Sequence, residues 1–166
     1  GLAALADQEC LELGWLYLAR ARIAKADYDW GVAESDAGRA RQIFARFDEV
    51  HGQAHALFEA GLAASWTGTL SEDGKPQSET HFQSALEQAR IARDPVLEAR
   101  IHLAMASAIG YGSAEYEKGM KHYRAVEACP AAMADPIIGS SFYADRAWFL
   151  LRTTRDLTAA ERDLSE

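Results

Sequence analysis

Residues Tyr116-Glu117-Lys118-Gly119-Met120-Lys121-His122-Tyr123-Arg124-Ala125-Val126 carry the pattern that decides the fold. Gly119, Tyr123 and Val126 stand where Ser78, Phe82 and Ala85 stand 41 residues earlier, and Ala160 and Leu164 continue the first two of these positions 41 residues later. Asp94-Pro95 returns as Asp135-Pro136 at the same interval. A fixed interval in the range of about 20–50 residues marks units that cannot bury their apolar faces alone and so stack on one another. Within each unit the small-x3-large-x2-small spacing keeps all three side chains on one face of a helix. The small residue lets a neighbouring helix approach and the large one fills the gap beyond it. The aromatic residues of this pattern, Phe82 and Tyr123, are therefore assigned to the core.

Working outward, nearly every segment has helical periodicity. Leu5 to Ala26 places Leu13, Leu16, Tyr17, Ala21 and Ala24 at three-and-four spacing. A second helix ends near Phe47, and a third spans His51 to Trp66 with Ala54, Leu57, Phe58 and Leu62 on its apolar side. Gly68, Asp73-Gly74 and Pro76 predict the longest loop over Thr67 to Pro76. A fourth helix covers Gln77 to Arg93, and Asp94-Pro95 opens the fifth, since Asp can accept from unpaired helix-start N–H groups and Pro has none to orphan. Gly110 to Ser113 turns the chain into a sixth helix, Ala114 to Ala128, which Pro130 ends. Asp135-Pro136 starts a seventh reaching about Thr153, and an eighth begins near Asp156. The expectation is an all-α solenoid of antiparallel helix hairpins, about four pairs in a single domain over residues 1–166. The last pair is expected to be truncated, as in a piece of a longer protein, because the next core position after Leu164 would be 167.

These residues resemble the tetratricopeptide repeat. The stretch Tyr116 to Val126 is similar to the second helix of that repeat, as are Asp29-Trp30 with Ala33, Ala37 and Ala40, and Leu157, Ala160 and Leu164. Ala85-Leu86-Glu87-Gln88-Ala89-Arg90, followed by Asp94-Pro95 and Leu97-Glu98-Ala99-Arg100, resembles the junction of the longer variant found in maltose-type transcription activators and in sensory regions of diguanylate cyclases from bacteria. The first pair fits two frames, Ala33/Ala37/Ala40 or Ala40/Phe44/Phe47, and its usual Leu-Gly-x-x-Tyr appears at Leu13-Gly14 and Tyr17.

The resemblance implies a binding module whose first-in-pair helices line a concave face. Aligning Gly61 with Ala106 and Ala147 places His55, Phe58, Glu59, Leu62 and Trp66 on that face in the second pair, Arg100, Leu103, Ser107 and Tyr111 in the third, and Asp145, Trp148 and Arg152 in the fourth. The implied partner is a protein, a peptide or an effector domain of the same chain, in a regulatory or sensory segment of a bacterial signalling protein. Two alternatives remain open. A free-standing scaffold or adaptor would want a carboxylate clamp rich in Lys, Arg and Asn, and the sequence has no Asn. A small-molecule sensor would want an enclosed pocket beside Trp66 and Tyr111.

Composition narrows the partners further. Lys and Arg total 17 against 25 Asp and Glu, for a net charge of -8. With no basic run to neutralise phosphates, neither nucleic acid nor an acidic membrane is an expected partner. No stretch reaches the roughly 18 apolar residues of a membrane span, and Cys10 and Cys129 belong to no metal or redox motif, so a reducing cytoplasmic setting is expected.

No catalytic, cofactor or metal residue is expected. There is no dinucleotide fingerprint, phosphate loop or nucleophile elbow. His51, His55 and Glu59 lie four apart on one helix face, three potential ligands in register, but the zinc-protease arrangement needs Glu directly after its first His, where this chain has Gly52. The set is taken as a polar stripe. An attached catalytic domain such as a diguanylate cyclase is compatible with all of this.

Overall fold

A computed structural model describes residues 10–71, 74–111 and 115–165, with the backbone alone at 110 and 111. Among these residues the regular structure is entirely helical: α1 Leu11–Ala26, α2 Trp30–Arg46, α3 Val50–Thr67, α4 Gln77–Ala92, α5 Pro95–Tyr111, α6 Tyr116–Glu127, α7 Pro130–Met133, α8 Pro136–Thr153 and α9 Leu157–Leu164. The all-α class expected from the periodicity is what is observed. The α3–α4 connection is closed by a lone backbone bridge between Leu70 and Pro76. Contacts divide the chain into two compact units, residues up to Asp94 and residues from Pro95 onward, and each is described by itself.

In the first unit, alanine spacing sets the helix directions. Leu18, Ala40, Phe44 and Ala56 form one layer, Ala21, Ala37 and Ala60 the next, and Ala24, Ala33 and Ala63 the third. Residue numbers rise through the layers in α1 and α3 and fall in α2. Thus α2 runs antiparallel to both, and α1 and α3 are parallel. Small side chains in every layer let the three axes approach closely. At one end Phe44 fills the space that Gly14 and Gly52 leave empty: a Cβ built on Gly52 would stand 2.7 Å from the Phe44 ring. Gly61 offers the same close approach to Phe82 of α4, at 2.6 Å.

The chain turns tightly between helices. Tyr28, Asp48, Arg93 and Arg155 all adopt left-handed backbone conformations, with φ of 61°, 51°, 56° and 57°. Each precedes an acidic residue at a helix start: Asp29, Glu49, Asp94 and Asp156. Asp29, Glu49 and Asp156 accept from N–H groups of the following helix. Non-glycine residues in that conformation cost roughly 1–2 kcal/mol each, which the caps, worth about 1 kcal/mol, partly offset.

In the second unit, Tyr123 packs against Phe142 and Phe149, with ring centroids 5.9 and 5.4 Å away. Ala99, Leu103, Ala106, Val126, Ala132 and Ile138 complete the cluster. The expectation that Pro130 simply ends the sixth helix needs correction. Pro130 stands at the first position of a helical turn of its own, α7, which buries Ala132. A proline lacks only the N–H that such a position leaves unused, so it starts a helix as readily as it stops one.

Most of the positions singled out by the 41-residue spacing, Ser78, Phe82, Ala85, Tyr123, Val126 and Ala160 among them, are buried, and Leu164 is the exception. Two buried carboxylates also occupy matching places. Arg20 of α1 holds Asp36 of α2 in a two-bonded pair, and Arg146 of α8 holds Asp163 of α9 in the same way, 16 and 17 residues apart. Asp36 follows Ala33 by three residues, as Asp163 follows Ala160, a spacing that agrees with the Ala33/Ala37/Ala40 frame.

Gly52→Ala drives a methyl group into the Phe44 ring, which α1 confines from the other side. A loss of about 1–3 kcal/mol is expected from such overpacking, readable as a lower urea midpoint. An unchanged midpoint would show that Phe44 can move aside.

Candidate functional site

The parallel pair α1 and α3 carries a connected polar strip. Glu59 sits at the centre with 2% exposure. A carboxylate so placed needs cations and hydrogen-bond donors, and α1 supplies both. Arg22 Nε donates to Glu59 Oε1 at 3.0 Å and Lys25 Nζ to Oε2 at 2.6 Å. The same guanidinium reaches back along α3, with Nη2 3.2 Å from His55 Nδ1. One helical turn earlier, the His51 ring lies edge-on to His55, centroids 4.6 Å apart. His51 Nε2 is 3.0 Å from Asp94 Oδ2. Trp15 of α1 closes this end, 6.2 and 6.4 Å from the two imidazoles and 4.8 Å from Phe44.

The strip therefore reads Lys25, Glu59, Arg22, His55, His51, Asp94. The in-register trio of the sequence, His51, His55 and Glu59, is split by the fold. Glu59 turns inward to the two cations, and Asp94, from the far end of the unit in sequence, joins the imidazoles. A donor atom from each of His51, His55 and Asp94 lies within 4.8 Å of the others. Gly52 takes no part in this chemistry: its missing side chain is the seat of Phe44.

The structure separates the remaining sequence candidates by burial. Phe58 and Leu103 are core residues, Phe58 with its ring 6.3 Å from Phe82, so a partner on this face would not meet them. Leu62 is half-buried. Trp66 is 66% exposed and stacks flat on Trp30, centroids 5.4 Å apart. Arg100 is half-buried, Trp148 and Arg152 are exposed, and the side chain of Tyr111 lies outside the described residues. Ser107 and Asp145 meet, the hydroxyl donating to Oδ2 at 2.5 Å. His55 through Trp66 belong to the first unit and Arg100 through Arg152 to the second.

Sequence reading missed several participants. Arg22 and Lys25 were not singled out by any spacing, and Asp94 read only as a helix start. In the second unit His102 and His122 share a hydrogen bond, Nδ1 to Nδ1 at 2.9 Å. A shallow hollow of about 530 Å³ is lined by Tyr116, Tyr143, Arg146 and Arg162 among others. The His102–His122 pair left no spacing signal to find, because its members lie on different helices.

Burial pushes the Asp145 carboxyl above its usual range, and the Ser107 hydroxyl pulls it part of the way back. A carboxyl whose folded pKa is raised binds its proton more tightly in the folded state, so folding is penalised at neutral pH. That penalty disappears as pH falls through the raised value toward the ordinary one. Asp145→Asn keeps an oxygen for Ser107 and removes the charge. The variant is expected to melt above the parent chain at pH 7, with the gap closing in acid. A lower melting temperature at pH 7 would refute it.

No protein-family model, curated protein or solved structure matches the chain.

Proposed function

We propose that the chain is a tetratricopeptide-like binding module that holds a protein or peptide segment, or an effector domain of its own protein, on the faces of its first-in-pair helices. Its setting would be the regulatory or sensory part of a larger bacterial signalling protein of the diguanylate cyclase or transcription-activator class. One observation carries the reading. Arg22, directly after Ala21, donates to Glu59, two residues before Gly61; Ser107, directly after Ala106, donates to Asp145, two residues before Ala147. The same two positions join neighbouring first-in-pair helices, α1 to α3 and α5 to α8, at separations of 37 and 38 residues. A recurrent tie of this kind is what a stacked array of like hairpins needs.

The exposed groups suit recognition of a mixed-charge peptide. Trp15 and Arg22 on one unit, and Trp148 and Arg152 on the other, are accessible. Trp and Arg dominate interface energetics because they combine large contact area with directional donors. Regulation would work through a small change in how neighbouring helices stack, passed to whatever the module is attached to. Trp66 lies open against Trp30 rather than roofing a pocket, which favours a peptide over a small enclosed ligand.

The test is affinity capture from the native host, comparing the parent chain with a Trp148→Ala, Arg152→Glu double variant. Loss of specific partners from the variant supports the proposal. Equal recovery of the same proteins counts against this surface.

A further inference from the structure

We propose that His51, His55 and Asp94 form a site for a divalent transition-metal cation of the zinc class, and that Arg22 competes with the cation for His55. The donor set is two imidazoles one helical turn apart and one carboxylate, a combination that suits zinc, nickel or copper and leaves room for water as a further ligand. Bonds of about 2.0–2.1 Å put neighbouring ligand atoms about 3.3 Å apart in a tetrahedron. His51 Nε2 and Asp94 Oδ2, at 3.0 Å, already have that separation. The three donors fall within 4.8 Å of one another, so a side-chain adjustment of about 1.5 Å completes the set. His51, His55 and Asp94 are all partly exposed, which gives a cation a path in from solvent.

The hydrogen bonds define what the cation must displace. An ionised carboxylate only accepts, so His51 Nε2 carries the proton between the ring and Asp94, and that proton passes to Nδ1 when metal takes the Nε2 lone pair. A guanidinium only donates, so His55 Nδ1 is the acceptor from Arg22. If the cation takes Nδ1 it displaces Arg22 directly. If it takes Nε2, the ring proton moves to Nδ1 and faces the Arg22 donor. Either way the Arg22–His55 hydrogen bond is lost, and Arg22 falls back on Glu59. Glu59 is no ligand, because both its oxygens are held by Arg22 and Lys25. The site stands or falls independently of the peptide-binding reading.

The experiment uses tag-free protein carrying Cys10→Ser and Cys129→Ser, titrated with zinc chloride by calorimetry and with nickel sulfate by tryptophan fluorescence. One equivalent is expected to bind, with nickel quenching Trp15, whose ring lies 6.2 and 6.4 Å from the two imidazoles. His55→Gln and Asp94→Ala should each weaken binding by about tenfold or more with an unchanged far-ultraviolet circular dichroism spectrum. Arg22→Gln should tighten it several-fold, and Trp15→Phe should keep the binding and lose most of the quench. No stoichiometric binding, or binding unaltered in both ligand variants, overturns the site. Quenching that persists in Trp15→Phe places the cation elsewhere and overturns it too. An unchanged affinity in Arg22→Gln overturns the competition.

Discussion

Phe44→Ala and Phe82→Ala are each expected to destabilise the first unit by about 3–5 kcal/mol, the range for emptying a buried phenylalanine site. Both rings are at most 1% exposed, and both sit where glycine on a neighbouring helix has brought the backbone against them. That geometry places the cost toward the upper end. A cavity shrinks when neighbouring side chains swing into it, but Gly14, Gly52 and Gly61 have none to swing. Relaxation would have to move whole helices, which the alanine layers resist. Equilibrium urea denaturation followed by circular dichroism measures the loss. A value below about 1 kcal/mol for either variant would mean that the close approach of α3 to these rings is absent in solution. Because Trp15 packs on Phe44, the Phe44 variant should also change tryptophan emission, while Phe82→Ala should leave that signal largely intact.

The two rings were not equally legible. Phe82 belongs to the 41-residue pattern with Tyr123, and its burial follows from spacing alone. Phe44 does not: the first pair admitted a second frame built on Phe44 and Phe47, in which both would be core. The structure buries Phe44 and leaves Phe47 exposed. Spacing could not separate them, since an aromatic residue near a helix end satisfies helical periodicity in either frame. Helix boundaries were legible because glycine, proline and acidic caps act locally. The polar strip on α1 and α3 was legible only in part. His55 and Glu59 could be placed on one face, but which partners they take depends on how α1 lies across α3, a tertiary fact. Asp94 reached the site because the chain folds back through α4, and nothing in its own neighbourhood encodes that.

A finer regularity appears in the Ala33/Ala37/Ala40 frame. The second-in-pair helices carry Asp36, His81, His122 and Asp163 three residues after Ala33, Ser78, Gly119 and Ala160. The residue just before Ala21, Gly61, Ala106 and Ala147 is Arg20, Ala60, Met105 and Arg146 in turn. Arginine pairs with aspartate at the two ends of this series, whereas His122 shares its hydrogen bond with His102. A buried carboxylate needs a cation, whereas a buried imidazole can stay neutral. Consistent with this, burial, assisted by the charge of Arg41, holds the His81 pKa below its usual value. The positions that hold a buried aspartate are thus matched by arginine, a complementarity that the histidine positions do not require.

Arg146→Met tests that complementarity at its most demanding point and should cost about 3–5 kcal/mol, the penalty for stranding one member of a buried ion pair. Asp163 is 1% exposed, and the Arg146 side chain is itself mostly buried at 13%, so little water can replace the lost donors. Arg146 also lies over the Phe142 ring at 4.5 Å, and methionine retains much of that packing, which isolates the charge effect. The additional contact of Arg146 with Glu127 spans 3.5 Å to an exposed carboxylate and contributes little. Arg20→Met should cost less, because the Arg20 side chain is 43% exposed and water can approach from its side of the pair. Arg22→Met should cost least, since Lys25 still holds Glu59. The double variant Arg146→Met, Asp163→Leu should recover most of the loss, because an apolar pair of similar volume removes the stranded charge along with its partner. Thermal melts of the four variants give the ranking directly. If Arg146→Met melts within a degree or two of the parent chain, Asp163 is reached by solvent and the buried pairing does not hold the second unit together.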